Sequence, residues 1–157
     1  MSGLLKAPEN NDIIEQIIPH IDYTSALDPF STSADVIDAC EQVKKYGFAT
    51  VDVYPTSVKL AKEHMQGCSS GILVTIAFPR GSTTTEAKCA ETKQALEDGA
   101  TEIDMVMNLA RFFDEDYTFV KNDIAAVVEC CKPYHVGVKV IIEVGYLTDA
   151  QKVKAAQ

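Results

Sequence analysis

The chain has 157 residues, of which 46% are hydrophobic and 24% are charged, and its formal net charge is −9 at pH 7. This length and composition predict one soluble globular domain with a hydrophobic core of its own. The acidic balance excludes non-specific binding to nucleic acid or to an anionic membrane, because both require a basic surface. Since no apolar run is long enough to span a bilayer and the N-terminus lacks a secretory signal pattern, we predict a cytoplasmic protein.

The first ten residues are predicted to form a flexible lead. A short amphipathic helix follows and ends at Pro19, and it would suit a lid over the core. A first strand is predicted near residues 20–24 and carries one charge, Asp22. Ser33 is predicted to cap a helix that Gly47 ends, and residues 48–54 form a second apolar strand with one acid, Asp52.

The second half of the chain repeats this alternation of helix and strand. A helix ended by Gly67 leads to a buried strand at residues 72–78, and Thr83 with Glu86 predicts a capping box for the helix that follows. The next strand, residues 102–108, carries Asp104, and a helix with clear helical periodicity follows over residues 117–131. Residues 136–146 form the last strand, after which Thr148 caps a final helix.

Five strands that alternate with helices predict an α/β fold with a parallel sheet. Two architectures have this pattern: an open doubly wound sheet and a (β/α)8 TIM barrel. The dinucleotide-binding version of the open sheet requires a G-x-G-x-x-G motif after the first strand, and this chain has no such motif there. The pattern therefore favours the barrel.

The strand at residues 136–146 is short, β-branched and bounded by Gly137 and Gly145, which predicts a strand buried on both faces. Lys139 would then point into an interior. An ammonium group in such a place either loses its proton, which makes the amine a nucleophile, or forms an ion pair. The strand alone leaves both interpretations open, and Glu143 is the nearest partner for an ion pair.

Four of the five predicted strands carry charge at an otherwise apolar position. Any one of these acids could be a hydrogen-bonded structural residue, but inward side chains of a barrel share one small interior. A lysine among acids suits Schiff-base chemistry on a carbonyl, in which the amine forms an iminium and a carboxylate moves protons. The three histidines show no ligand spacing and the five cysteines form no C-x-x-C pair, so we expect free thiols, no metal and no cofactor.

Several segments, in the right order along the chain, resemble deoxyribose-phosphate aldolase. They are VKVIIE at residues 138–143 with LTD at 147–149, GATEIDMV at 99–106, FPRG at 78–81 and IDYT at 21–24. The resemblance implies a (β/α)8 barrel of which residues 1–157 hold about five of eight units. It also implies metal-free, reversible cleavage of 2-deoxy-D-ribose 5-phosphate to acetaldehyde and D-glyceraldehyde 3-phosphate.

The same resemblance implies roles for individual residues. Lys139 would be the Schiff-base lysine and Asp104 a proton donor and acceptor. Asp22, Thr24, Asp52 and Glu143 are candidates for the substrate pocket, which would take a small phosphorylated sugar or aldehyde. Arg80, in an exposed turn, is a weaker candidate for phosphate binding than for a solvated surface residue.

Two departures from the family pattern bear on activity. Asp52 stands where the family has cysteine, and the chain contains no K-T-S-T-G segment, which carries a second lysine on the sixth strand of the family. Because a cation near Lys139 would lower its pKa and the acids would raise it, we expect little aldolase turnover from these 157 residues.

Two other functions remain open at this stage. Besides the aldolase, the sequence leaves open a different Schiff-base lyase on the same scaffold and a non-catalytic aldolase-like remnant that acts as a binding or assembly module. Such a module would have a homo-oligomeric copy or a complementing chain as its partner.

Overall fold

A computed structural model of the protein describes residues 11–157, with side chains described from residue 13 onward. The predicted flexible lead at residues 1–10 lies outside the described residues. The strands are β1 (Asp22–Ala26), β2 (Thr50–Val53), β3 (Gly71–Ile76), β4 (Glu102–Val106) and β5 (Val138–Ile141). The helices are α1 (Asn11–Ile17), α2 (Ser33–Tyr46), α3 (Val58–His64), α4 (Thr85–Asp98), α5 (Leu109–Phe113), α6 (Tyr117–Cys131) and α7 (Asp149–Ala155).

All five strands join one parallel sheet in the order β1-β2-β3-β4-β5, so each strand pairs with its neighbour in the chain. A helix connects each pair of strands, as parallel pairing requires. This is the strand order of a barrel wall, since an open doubly wound sheet reverses its strand order near the middle. The α/β prediction and the partial-barrel prediction are thereby confirmed.

The sheet has two chemically different faces. Alternate residues of the strands, such as Val51, Val74 and Met105, point outward and are fully buried in the main hydrophobic core beneath the helices. The remaining residues point to the inner, concave side, and there the sequence places polar groups such as Thr50, Asp52 and Thr75. The period-2 alternation of each strand thus separates the fold-stabilising residues from the ionisable ones.

Local sequence signals fix the helix ends, with two corrections. The N-cap of α2 is Thr32 and not the predicted Ser33, and the amide and hydroxyl of Thr32 both donate to the Asp35 carboxylate. Gly47 adopts the left-handed conformation that ends α2, and Thr148 caps α7, where its hydroxyl accepts a hydrogen bond from the Gln151 amide. The predicted cap of α4 was wrong by one residue. Thr84, not Thr83, accepts the hydrogen bond from Ala87, because the β3–α4 loop is one residue longer than the pattern indicated. The short helix α5 was not predicted.

A buried ion pair joins α4 to α6. The Lys88 ammonium lies 2.6 Å from the Asp123 carboxylate, and both side chains are completely buried. Lys88 also donates to the carbonyl oxygen of Val106 at 2.9 Å, and the Thr85 hydroxyl donates to Asp123 at 2.8 Å. Since each charged group has a counter-charge and further hydrogen bonds, the pair fixes the two helices against the end of β4.

The β3–α4 loop is anchored at both ends. Ala77 has a φ of 54°, and its amide donates to the Glu91 carboxylate of α4 at 2.8 Å. Gly81 has a φ of 64°, and a Cβ at this position would lie only 2.0 Å from the carbonyl oxygen of Met107. Only glycine fits this close approach of the loop to the end of β4.

The helix α1 has the predicted apolar residues, but they do not cover the core. Ile13, Ile14 and Ile17 are 44–52% exposed, so the described residues give no support to the lid interpretation. Within residues 11–157, no helix is both long enough and apolar enough to cross a membrane.

Candidate active site

The centre of the inner face is an ion cluster around Lys139. Lys139 on β5 is the register partner of Asp104 on β4, so their side chains lie next to each other on the same face. The Lys139 Nζ lies 2.7 Å from Asp22 Oδ2, 3.1 Å from Glu102 Oε2 and 3.5 Å from Asp104 Oδ1. One ammonium group on β5 is therefore shared by three carboxylates from two other strands, β1 and β4.

The cluster lies in the amino-terminal half of the strands. Asp22 and Glu102 are the first residues of β1 and β4, and Lys139 is the second residue of β5. The prediction that the last strand is buried on both faces was wrong. The strand is only four residues long, and the Lys139 side chain is 48% exposed because the inner face is open on this side.

The carboxylates hold Lys139 in its charged form. Partial burial lowers the pKa of Lys139, but hydrogen bonds to Asp22 and Glu102 and the charge of Asp104 outweigh it and raise that pKa well above its usual range. At neutral pH the amine is therefore protonated. An amine must lose its proton to attack a carbonyl, so this arrangement opposes a nucleophilic role for Lys139.

Asp104, in contrast to Lys139, is shifted towards its neutral form. Burial raises the pKa of its carboxyl group above the ordinary range, and the Lys139 ammonium offsets only part of this effect. Its Oδ1 atom is buried and makes no hydrogen bond to any described residue, although it lies 3.5 Å from Lys139 Nζ. A carboxyl group with a raised pKa and an unpaired oxygen is suited to accept and release a proton.

Asp52 is a second acid with an unusual charge state. Its side chain is buried, and the Thr75 hydroxyl contacts both carboxylate oxygens at 3.0 Å. Burial raises the pKa of Asp52 to about 7, and the negative charges of Asp104 and Asp22 add to the effect. The neutral form of Asp52 is therefore favoured far more than that of an exposed aspartate.

Asp22 remains ionised. Burial by itself raises the pKa of Asp22, but hydrogen bonds from Lys139 and from the Thr50 hydroxyl, at 2.7 Å, lower that pKa below its ordinary value. The inner face thus holds an acid with a lowered pKa, an acid with a raised pKa and a lysine with a raised pKa within one polar layer. Such differences between neighbouring ionisable groups are typical of proton-transfer sites.

Two predicted pocket residues do not join this cluster. Glu143 lies beyond the end of β5 with a φ of 53°, and in the described structure Lys139 pairs with other acids. The predicted Lys139–Glu143 ion pair was therefore wrong, because the strand ends two residues before Glu143 and the chain turns away. Thr24 lies on β1 where the pairing with β2 is irregular, and its side chain is exposed, as is that of Arg80.

Three polar residues of the site were not predicted: Glu102, Thr50 and Thr75. Glu102 lies two residues before Asp104, and the strand period therefore places both on one face. This signal was available in the sequence. The two hydroxyls had no comparable signal, because threonine is common in strands for its shape alone.

The described residues contain no group of three or more histidine, cysteine, aspartate or glutamate side chains that could hold a metal ion. A cavity of about 470 Å³ lies elsewhere, against the β3–α4 loop, and shares no lining residue with the Lys139 cluster. The chemistry of the cluster is therefore that of a lysine and carboxyl groups on an open, concave surface.

The parallel wall of βα units and the lysine–carboxylate cluster on its inner side define a βα-barrel protein with an ionisable interior. Comparison with family models makes this more specific. Residues 16–157 match the model of the DeoC/LacD family aldolase, and the chain belongs to that family.

Curated relatives agree with this assignment. The chain is 46% identical over 144 residues to a deoxyribose-phosphate aldolase of Thermococcus kodakarensis, a match that covers 90% of this chain and 64% of the relative. It is 47% identical over 137 residues to a deoxyribose-phosphate aldolase of Bacillus mycoides, covering 87% of this chain and 60% of the relative. The chain therefore spans less than two thirds of the length of these relatives.

A solved structure shows the same fold. The tetrameric deoxyribose phosphate aldolase of Aeropyrum pernix superposes with a TM-score of 0.78 at 28% sequence identity. The match covers 87% of this chain and 56% of that chain. The five-stranded wall described here thus corresponds to slightly more than half of a complete aldolase.

Proposed function

We propose that this chain acts in the reversible retro-aldol cleavage of 2-deoxy-D-ribose 5-phosphate to acetaldehyde and D-glyceraldehyde 3-phosphate through a lysine Schiff base. The names of its relatives support this substrate. The observation that carries the proposal is the position of Asp104, half-buried beside the Lys139 ammonium on the inner wall. An iminium intermediate needs a group of this kind to move protons at the carbon atoms of the substrate.

In this proposal Asp104 is the proton carrier. Its raised pKa lets it accept a proton, and the neighbouring ammonium stabilises the carboxylate after the proton leaves. Asp52 and Thr75 extend the polar layer behind it: the Thr75 hydroxyl donates to the Asp52 carboxyl group, whose pKa is raised by burial. Asp22 holds Lys139 in place from the opposite edge of the sheet.

We assign Lys139 a revised role. The resemblance implied that Lys139 forms the Schiff base, but three carboxylates keep it protonated in this arrangement. Lys139 therefore acts as the cation that orients Asp104 and Asp22. The nucleophilic amine is then a different lysine, and the K-T-S-T-G segment of the family pattern is the place for it.

The test of the function is a fusion in which the remaining barrel strands of the Thermococcus kodakarensis relative follow Gln157. Cleavage of 2-deoxyribose 5-phosphate is followed through the glyceraldehyde 3-phosphate that is released. We expect the fusion to cleave the sugar, and Asp104→Asn to lower kcat/KM by about 10²–10⁴-fold, the usual contribution of a positioned proton carrier. A folded fusion without turnover, or an unchanged Asp104→Asn variant, would refute the proposal.

The role of Lys139 is tested separately, by borohydride reduction of the 157-residue chain in the presence of acetaldehyde. Peptide mass spectrometry then compares the adduct on Lys139 with the adduct on Lys59, an exposed lysine that serves as the background. We expect no excess at Lys139 near neutral pH. A saturable excess at Lys139 would restore it as the Schiff-base lysine.

The remaining predictions concern the partners of the protein and its location in the cell. The tetrameric neighbour supports a homo-oligomer for the complete protein. A complementing chain and the cytoplasmic location stay predictions from the sequence. No observation favours the non-catalytic binding module, so we propose no second function.

A further inference from the structure

A partly enclosed cavity of about 370 Å³ lies on the helix side of β5, between α6 and α7. Val140 of β5 lines it and packs against both hydrophobic clusters of the protein. Because side chains alternate along a strand, Val140 and Lys139 point to opposite faces of the sheet. The cavity is therefore separate from the Lys139 cluster, and the proposed function does not use it.

The walls of the cavity are apolar because α6 turns one side of its helical period towards it. Tyr117, Val120 and Ile124 follow one another at spacings of three and four residues and all line the cavity. Met107 and Phe112 also line it and are almost completely buried, at 1% and 3% exposure. The cavity is thus a recess in the second hydrophobic cluster, and its walls favour an apolar ligand.

The solvent side of the cavity carries two cations. Lys121 and Lys154 are both exposed and both line the cavity. The Lys154 Nζ lies 4.8 Å from the centroid of the Tyr117 ring, and Lys121 follows Tyr117 by one helical turn.

Neither lysine has a counter-charge in the described structure. Lys121 and Lys154 form no ion pair with a described residue. No aspartate or glutamate side chain of the described residues lines the cavity. Since the whole chain has a net charge of −9, two unpaired cations at one cavity form a local positive potential that attracts an anion.

The helix that covers the cavity is held loosely. No residue of α7 is buried, whereas α6 contributes four buried residues to the fold. Ala155, near the end of α7, lines the cavity with only a methyl group. Elements with few buried contacts open at low cost in free energy. A ligand can therefore enter beneath the end of α7.

We propose that this cavity binds a small carboxylate with an apolar body, of the chemical class of a medium-chain fatty acid. The apolar body lies against Val120, Ile124 and Val140, and the carboxylate lies between Lys121 and Lys154. Burial of the apolar body provides affinity, and the two ammonium groups provide the preference for an anion. A further segment of polypeptide would also cover apolar walls, but it would not need two cations at the solvent side.

The test is a titration of the 157-residue chain with octanoate, followed by NMR of the methionine methyl groups. Met107 lines the cavity, whereas Met65 and Met105 belong to the main core and serve as internal controls. We expect a saturable shift of Met107 and unchanged signals of Met65 and Met105. Acetate, which has the charge without the apolar body, should leave all three signals unchanged.

A neutral analogue tests the role of charge. 1-Octanol has the same apolar body as octanoate without the carboxylate, and we expect it to bind more weakly. Added salt should weaken the binding of octanoate and leave that of octanol unchanged, because salt screens the attraction of exposed lysines for the carboxylate. Equal affinities of octanoate and octanol would overturn the proposal.

Two lysine variants test the same point from the side of the protein. Lys121→Gln and Lys154→Gln should each weaken octanoate binding by about 2–5-fold, and the double variant by about 4–25-fold. The matched control is Lys45→Gln. Lys45 also lies 4.8 Å from the ring centroid of a tyrosine, Tyr46, but it does not line this cavity, so octanoate binding should not change. A double variant that binds octanoate as tightly as the wild type would overturn the proposal.

A bulky side chain on α7 tests the position of the ligand. Ala155→Phe should fill the cavity and abolish octanoate binding, whereas Ala156→Phe, at the next and exposed position, should leave it intact. Unchanged signals of Met65 and Met105 show that each variant is folded. Octanoate binding that survives in Ala155→Phe would place the ligand elsewhere and overturn the proposal.

The fusion with the remaining barrel strands separates a ligand site from a seat for further polypeptide. We expect the fusion to bind octanoate with the same shift of Met107. Loss of binding in the folded fusion would show that the added strands cover the cavity, and absence of any saturable shift in the 157-residue chain would show that no site exists. Either result would overturn the proposal, whatever the aldolase activity of the fusion.

Discussion

Lys139 Nζ lies 2.7 Å from Asp22 Oδ2, although the two residues belong to strands at opposite edges of the five-stranded sheet. In an eight-stranded barrel the first and the fifth strand face each other across the interior. The ion pair is therefore direct evidence that these five strands already have the curvature of a barrel wall. In the part of the chain that the structure describes, β1 and β5 each pair on one side only.

Because of the Asp22–Lys139 contact, replacing Asp22 is expected to change the pKa of Lys139 measurably. In Asp22→Asn the ammonium loses its shortest ion pair, so the pKa of Lys139 should fall, as monitored by NMR of the lysine side chain. Because both side chains are partly exposed, the free energy of unfolding should fall by only about 0.5–1 kcal/mol. The matched control is Asp38→Asn on the exposed side of α2, which should leave Lys139 unchanged. An unchanged pKa in Asp22→Asn would contradict the geometry of the cluster.

The buried pair of α4 and α6 predicts a much larger effect on stability. Lys88→Met leaves the Asp123 carboxylate buried without a counter-charge, which should lower the free energy of unfolding by about 3–5 kcal/mol. Urea denaturation measures this loss. The matched control is Lys132→Met, which removes the exposed ion pair with Glu129 and should cost less than about 1 kcal/mol.

A double variant separates charge from packing at the same place. Lys88→Met combined with Asp123→Leu removes both charges and should recover most of the stability lost in Lys88→Met, because no uncompensated charge remains. If the double variant is as unstable as the single one, the pair contributes through its hydrogen bonds to Val106 and Thr85 more than through its charges.

The raised pKa of Asp52 is expected to make the free energy of unfolding depend on pH. Its pKa is about 7 in the folded chain and near 4 in an unfolded one, so between these values the folded state binds more protons than the unfolded state. By linkage, the free energy of unfolding falls as the pH rises from about 4 to about 7, and this contribution is absent above that range. Chemical denaturation across this range measures the slope.

Asp52→Asn should make that slope shallower, since the amide does not titrate and still accepts a hydrogen bond from Thr75. Asp35→Asn on α2 is the control: hydrogen bonds from Thr32 lower the pKa of the Asp35 carboxyl group, so its contribution to stability changes only below about pH 4 and the slope between about pH 4 and 7 should stay the same. An unaltered slope in Asp52→Asn would show that another group, such as Asp104, dominates the pH response.

Replacing Gly81 by alanine is expected to lower stability through backbone strain and a backbone clash alone. A methyl group at this position meets the Met107 carbonyl oxygen at 2.0 Å, and the positive φ adds strain, so Gly81→Ala should cost on the order of 2–4 kcal/mol. Gly137→Ala is the control, because nothing lies within 4 Å of its added Cβ. Equal melting temperatures of the two variants would mean that the loop moves freely away from β4.

The sequence predicted the order of strands and helices well, because each element has its own periodic signal and most helices have a capping residue. It also placed Asp22, Asp52 and Asp104 on strands, and the structure puts them on one face. It did not predict the Lys88–Asp123 pair. Two charges on separate amphipathic helices look like surface residues until the packing of the helices is known.

The charge state of Lys139 was only partly predictable. The excess of acids in the strands indicated a raised pKa, but the choice of partners depends on tertiary geometry. Glu143 is near in sequence and was preferred for that reason, whereas the sheet brings Asp22 from the other edge. Contacts that depend on curvature have no local sequence signal, so they cannot be read from a single strand.

The alternation of buried and concave-face residues along β4 has a consequence for how the sequence of such a wall can evolve. Ile103 and Met105 are in the main core, whereas Glu102 and Asp104 face the concave side and do not belong to it. Neighbouring codons of this strand are therefore under separate constraints, one set for folding and the other for reactivity. A substitution on the concave side can alter which protons move without loosening the helices behind it, so new chemistry can arise on this scaffold in single steps.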